Sequence, residues 1–126
     1  MSDMLGNAVA WLDGARRIHL SRPVLYARGD DSVEVQAGVG QTTFRLDDGT
    51  GAMIRTVQRD FLISAADLIL ADETVLPQRY DRITESIGSR VYTYEVIGPG
   101  GGEPDWRWAD PYRTTLRVHT KQVDES

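Results

Sequence analysis

Turn-forming residues punctuate this chain so often that little room is left for long regular elements. Arg28-Gly29-Asp30-Asp31, Gly38-Val39-Gly40, Asp47-Asp48-Gly49-Thr50-Gly51 and Gly98-Pro99-Gly100-Gly101-Gly102-Glu103-Pro104 interrupt it in turn. Glycine supplies positive φ, proline removes a backbone donor, and aspartate hydrogen-bonds its own turn, so the intervals between such clusters read as strands. The spacing predicts strands at 24–27, 32–37, 42–46, 52–63, 76–83, 90–97 and 114–121. Gly38-Val39-Gly40 is expected to separate the second from the third. In 90–97, Tyr92, Tyr94 and Val96 share one face and Val91, Thr93 and Glu95 the other. In 114–121, Leu116 and Val118 are expected inside and Arg117 and His119 outside. In 52–63, Met53, Val57, Phe61 and Ile63 share a face with Arg55 and Arg59, so one-sided burial is not visible there.

Two segments depart from the strand pattern. Met4, Ala8, Trp11, Ala15 and Ile18 recur at helical spacing from about Asp3 to Leu20, behind Ser2 as N-cap and ahead of Pro23. Ser64-Ala65-Ala66-Asp67-Leu68 reads as a single helical turn capped by Ser64. The expected fold is therefore mainly β: a small β-barrel or sandwich of five to seven strands, with an N-terminal helix and a long Gly-rich loop. The 126 residues are expected to form one domain, with residues 1–20 as a helical arm and 22–121 as the β core.

Charge and residue type narrow the function. Nineteen acids against fourteen bases give a net charge of −5, which argues against a protein that grips nucleic acid or anionic membrane through a basic surface. The first 63 residues carry eight acids and seven bases, net −1, and the remainder eleven and seven, net −4. Thirteen of the fourteen bases are arginine, a set suited to protein interfaces. With no cysteine, a disulfide framework, thiolate zinc site or cysteine nucleophile is excluded. The first residues lack the form of a signal peptide and no run is long enough for a membrane span, so a soluble protein made in the cytoplasm is expected.

No catalytic set assembles. His19 and His119 stand on different elements with no acid or serine at motif spacing, and both read as ordinary surface residues. The glycine-rich run lacks the Lys-Ser or Lys-Thr and the helix of a phosphate loop. Asp30-Asp31 and Asp47-Asp48 fit solvated turns, not a calcium loop. No enzyme, cofactor or metal is expected. Trp106, Arg107, Trp108 and Tyr112 interleave aromatics with arginine, as a protein hot spot or a base-stacking platform would. One of these tryptophans could instead fold back over the end of the core.

The strings Asp60-Phe61-Leu62-Ile63, Ala66-Asp67-Leu68, Leu76-Pro77-Gln78-Arg79-Tyr80-Asp81-Arg82-Ile83 and Val91-Tyr92-Thr93-Tyr94-Glu95-Val96, and the continuation from Gly98 to Lys121, resemble the small head-tail joining proteins of tailed bacteriophages and prophages. Such proteins commonly have Gly immediately before the Asp, where this chain has Tyr80. The resemblance implies a head-closure or stopper role. It implies a ring of copies beneath the portal and its adaptor, facing a tail terminator or tail tube protein, with double-stranded DNA passing through and no membrane partner. The location implied is the virion neck, reached from the host cytoplasm during assembly. Trp11, Trp106, Arg107, Trp108 and Tyr112 are expected at interfaces, and Asp72, Glu73 and Glu85 at lumen or interface positions. The alternatives are a neighbouring ring component, terminator or adaptor, and a β-barrel module binding single-stranded nucleic acid or oligosaccharide.

Overall fold

The computed structural model describes residues 21–47 and 49–126. The expected N-terminal helix, with Trp11 and His19, lies outside the described residues. β1 (Ser21–Arg28) and β2 (Asp31–Asp47) form a hairpin in which Arg28 pairs with Asp31 across Gly29-Asp30. Gly29, at φ 60°, takes the first central position of this turn, the place a two-residue hairpin loop reserves for glycine. Val24 and Tyr26 on β1 and Val35 and Ala37 on β2 are buried at every second position, as a half-buried strand requires.

From Ala37 onward β2 pairs with β3 (Met53–Ser64). Gly38-Val39-Gly40 does not break β2, contrary to expectation. Both glycines lie under other groups: a Cβ at Gly38 would sit 3.6 Å from that of Leu62, and one at Gly40 3.4 Å from the Arg117 guanidinium. Both are ordinary contact distances and neither glycine has positive φ, so the extended backbone continues through them, held by pairing with Leu62 and Asp60. A single 3-10 turn (Ala65–Asp67) follows, as expected, although Ser64 makes no side-chain capping bond. β4 (Ile69–Leu70) and β5 (Glu73–Thr74) form a small separate hairpin. Its two loop residues, Ala71 and Asp72, both have positive φ, at 51° and 65°.

The strand expected to open at Leu76 begins only with β6 (Arg82–Ile87). Residues 78–81 are instead a turn, closed by the Asp81 N–H donating to the Gln78 carbonyl at 3.1 Å. β7 (Arg90–Val96), β8 (Trp106–Trp108) and β9 (Thr115–Glu125) complete the chain. The main sheet is antiparallel and seven-stranded, in the order β3-β2-β1-β6-β7-β9-β8. β3 also pairs with β9, so the ladder returns on itself through six strands and β8 hangs outside the circuit.

The core lies on one face of this closed ladder. Phe61 and Ile63 of β3 stand opposite Val118 and Leu116 of β9, and join Tyr26, Ile83, Tyr94 and Val96. On β9, however, residues 118, 119 and 120 are all buried. His119 does point away from the core, as its alternation predicts, but it is not a surface residue. The β7–β8 loop and the distal part of the β2–β3 hairpin cover it, with the Phe44 ring edge-on at 5.1 Å and the Ile97 N–H donating to the His119 carbonyl.

Candidate assembly surfaces

Three buried carboxylates, each paired with arginine, hold the sheet rigid beneath its exposed ends. Asp81 closes the 78–81 turn and accepts bonds from Arg28 Nε at 2.9 Å, Arg28 Nη2 at 2.8 Å, the Gln78 N–H at 2.9 Å and the Tyr26 hydroxyl. Burial, reinforced by the neighbouring carboxylate, pushes the Tyr26 phenol far above its ordinary range. Asp60 lies on the outer face of the ladder, opposite His119, and accepts from Arg117 Nη1 at 2.6 Å and from the Thr42 hydroxyl, with His119 Nδ1 at 2.8 Å. Burial pushes the Asp60 carboxyl up, but the bonds from His119, Thr42 and Arg117 outweigh it and hold the group below the usual carboxylate range.

Glu85 forms the third cluster, with Arg59 Nη2 at 2.6 Å, Arg22 Nη1 at 3.4 Å and the Tyr94 hydroxyl at 3.2 Å. The Arg59 guanidinium also lies over the Phe61 and Tyr94 rings. Glu85 is therefore not a lumen or interface acid on the surface of this chain, as the sequence suggested. It is 1% exposed, and a carboxylate so buried must be paired within the fold. Arg22, Arg28, Arg59 and Arg117 are likewise engaged internally and serve the fold before any interface.

The far end of the β2–β3 hairpin is a different kind of surface. β1 covers β2 only as far as Gly38, and β9 covers β3 only from Arg59 onward. Among the described residues, 42–47 and 53–58 pair with each other alone, forming a two-stranded ribbon that runs on past the core. One face of this ribbon is covered: Thr42 bonds Asp60, Phe44 meets His119, and Gly101 lies against Leu46. The opposite face, which continues the line of Phe61 and Ile63, carries Val57 and Met53 in the open, Met53 at 64% exposure. Between them Arg45 and Arg55 stand directly opposite each other. Neither has an ion-pair partner among the described residues. Sequence reading missed this surface, although the Met53-to-Ile63 stripe interrupted by arginines was its visible trace.

The Gly-rich loop is pinched shut at its base. The Gly98 N–H donates to Asp105 Oδ1 at 2.7 Å, and Arg79 grips the same carboxylate with Nε and Nη2. A Cβ on Gly98 would lie 2.6 Å from the Pro104 carbonyl oxygen, so glycine is demanded by the close approach of the two chain segments. β8 then adds to β9 with Trp106 opposite Val118 and Trp108 opposite Leu116. Both tryptophans are half-buried, pack edge to face at 5.3 Å and extend the core. Arg107 between them is exposed. Asp110 fixes the following turn by accepting the Thr114 and Thr115 N–H groups, which leaves Tyr112 81% exposed at its tip. Asp72 and Glu73 are exposed on the β4–β5 hairpin, while Trp11 lies outside the described residues.

Among the described residues no group of three or more His, Cys, Asp or Glu side chains is placed to hold a metal ion. No helix among them is long and apolar enough to cross a membrane. What the geometry presents is a braced sheet with projecting ends: the ribbon, the Tyr112 turn and the acidic β4–β5 hairpin. The family model described as phage head-tail joining protein matches residues 2–126. No curated protein matches the chain.

Proposed function

The chain belongs to the phage head-tail joining protein family, a structural family of the virion neck, and on that premise we propose that it is the head-closure, or stopper, component. In this reading its closed six-strand ladder is a small β-barrel, and copies form a ring beneath the portal and adaptor. One surface of the ring meets those proteins, and another receives the tail terminator or tail tube protein. The observation that carries the reading is the family match over residues 2–126. The braced sheet supports it, because a ring subunit must keep its shape while its projecting ends engage neighbours. The net charge of −5 suits a channel through which DNA passes without being held by counterion-releasing contacts. Assembly takes place in the host cytoplasm.

Two observations weigh against the alternatives. An adaptor is expected to be mostly helical, and the described residues are mainly strands. A base-stacking platform needs open aromatic faces, whereas Trp106 and Trp108 are spent on the core. The distinguishing experiment uses particles that make this protein but no tail. A stopper keeps DNA inside these tailless heads, protected from nuclease. A tail-side component leaves the heads leaking their DNA whether it is present or absent, and that result would overturn the stopper assignment.

A further inference from the structure

The exposed ribbon face has a counterpart elsewhere on the same chain. β2 spans 17 residues, roughly 50 Å of extended chain. At one end it joins the ribbon face with Arg45, Arg55, Met53 and Val57. At the other it begins beside Asp30 and Asp31, both exposed. The β4–β5 hairpin also belongs to this second end, since it follows the close of β3, which pairs there with Ala37. It displays Asp72 and Glu73 together with exposed Ile69, and the nearby Leu76, whose carbonyl is held by Arg28 at the last position of β1, is exposed as well. One end thus presents two opposed arginines beside apolar side chains, its Asp47 being turned to the Gly49 and Gly51 N–H groups, and the other is acidic and apolar.

The basic end is not satisfied among the described residues. Two arginines directly opposed across an antiparallel pair repel each other, and a two-stranded ribbon without a third strand or covering face is marginal in water. The Met53 and Val57 stripe prolongs a core face beyond the point where the described residues cover it. A surface that brings carboxylates to the arginines and apolar side chains to the stripe would remove both defects.

We propose that the Arg45, Arg55, Met53 and Val57 face of one copy docks on the Asp72, Glu73, Ile69 and Leu76 end of a second copy. The contact joins two different patches, so it is head-to-tail, and a growing assembly keeps one free patch of each kind until it closes. This rests on the ring reading above and supplies its copy-to-copy contact.

The test uses the purified full-length protein and sedimentation velocity. R45E/R55E and D72R/E73R should each weaken self-association by at least about 100-fold. Mixing the two variants should restore it, because each then offers the patch the other lacks. Circular dichroism of each variant checks that it is folded, and restoration on mixing cannot come from misfolded protein. The chain has no cysteine, so V57C/I69C should also give a ladder of disulfide-linked multimers while either single substitution stops at a dimer. Wild-type self-association that neither reversal disturbs would overturn this contact and leave the ring reading standing. Wild-type protein that stays monomeric at millimolar concentration would overturn the contact as a self-sufficient one. The ring reading would then rest on counting copies in isolated necks. An intrachain V57C/W11C disulfide in monomeric protein would assign the face to residues 1–20 and also overturn the proposal.

Discussion

Tyr80 holds a left-handed backbone, φ 76°, immediately before Asp81, the carboxylate that ties Tyr26 and Arg28 to the β6 end of the sheet. The turn over residues 78–81 has its only positive φ at the third position, as a type II turn does, and this favours glycine there. Tyr80 holds this conformation at the cost of strain. The Tyr80 N–H still donates to the Val96 carbonyl at 2.8 Å, and its ring is 64% exposed.

Tyr80→Gly should therefore stabilise the protein by about 0.5–1 kcal/mol, the relief of left-handed strain less the added freedom of the unfolded chain. Urea unfolding at pH 7 measures this. A loss of stability would mean that the tyrosine ring contributes contacts that outweigh the strain.

How far the sequence could be read follows from which interactions are local. The β7 strand was legible because Tyr92, Tyr94 and Val96 alternate with Val91, Thr93 and Glu95 within seven residues. The 3-10 turn after Ser64 was legible for a similar reason. The Asp60 cluster was not, because Thr42, Arg117 and His119 reach it from 18, 57 and 59 residues away. Only the pairing of β3 with β2 and β9 brings them together. For the same reason His119 read as a surface histidine: alternation says which way it points, and gives no sign that a loop and a ribbon cover that side. Gly38 and Gly40 read as breakers because the β3 residues that hold them extended, Leu62 and Asp60, are also remote in sequence. The family likeness was legible because motif strings need no tertiary information.

Acid should weaken the fold through Asp60. Its carboxyl is held below the ordinary value of 3.8, so the native state keeps it ionised where the unfolded chain takes up a proton. This contribution is fully present above pH 3.8 and is lost as pH falls below it through the native value. Asp60→Asn should cost about 3 kcal/mol at pH 7, by leaving Arg117 without its anion, and should flatten the acid limb of the stability profile. Asp110, also lowered, leaves a residual slope. Urea midpoints between pH 2.5 and 7 supply the profile, and an unchanged acid limb in the variant would remove Asp60 as its source.

Alkali should act through Tyr26. Burial and the Asp81 carboxylate keep the phenol protonated in the native state above its ordinary value of 10.0. The stability it contributes is fully present below pH 10.0 and declines as pH rises above it, because the unfolded chain ionises first. Tyr26→Phe should cost about 1 kcal/mol at neutral pH, the loss of one hydrogen bond to a carboxylate that keeps its other donors. It should also shallow the alkaline limb, with Tyr94 contributing the remainder. An alkaline limb equally steep in the variant would show that other groups control it.

Tyr112 and the Trp106-Trp108 pair should separate surface from core. Tyr112→Ala should change stability by less than about 0.5 kcal/mol, since the side chain is almost entirely exposed. Trp106→Ala should cost about 2–3 kcal/mol, because the ring is half-buried against the core. If Tyr112 is a docking residue, Tyr112→Ala should lower the yield of joined particles without unfolding the protein. Normal joining by that variant would remove Tyr112 from the interface.

The central claim is that this protein joins heads to tails, and deleting its gene from the producing phage or prophage tests that most directly. The account predicts free tails and separate heads in electron micrographs of the lysate, with joined particles restored when purified protein is supplied. Joined, DNA-containing particles formed at the normal yield in its absence would contradict it.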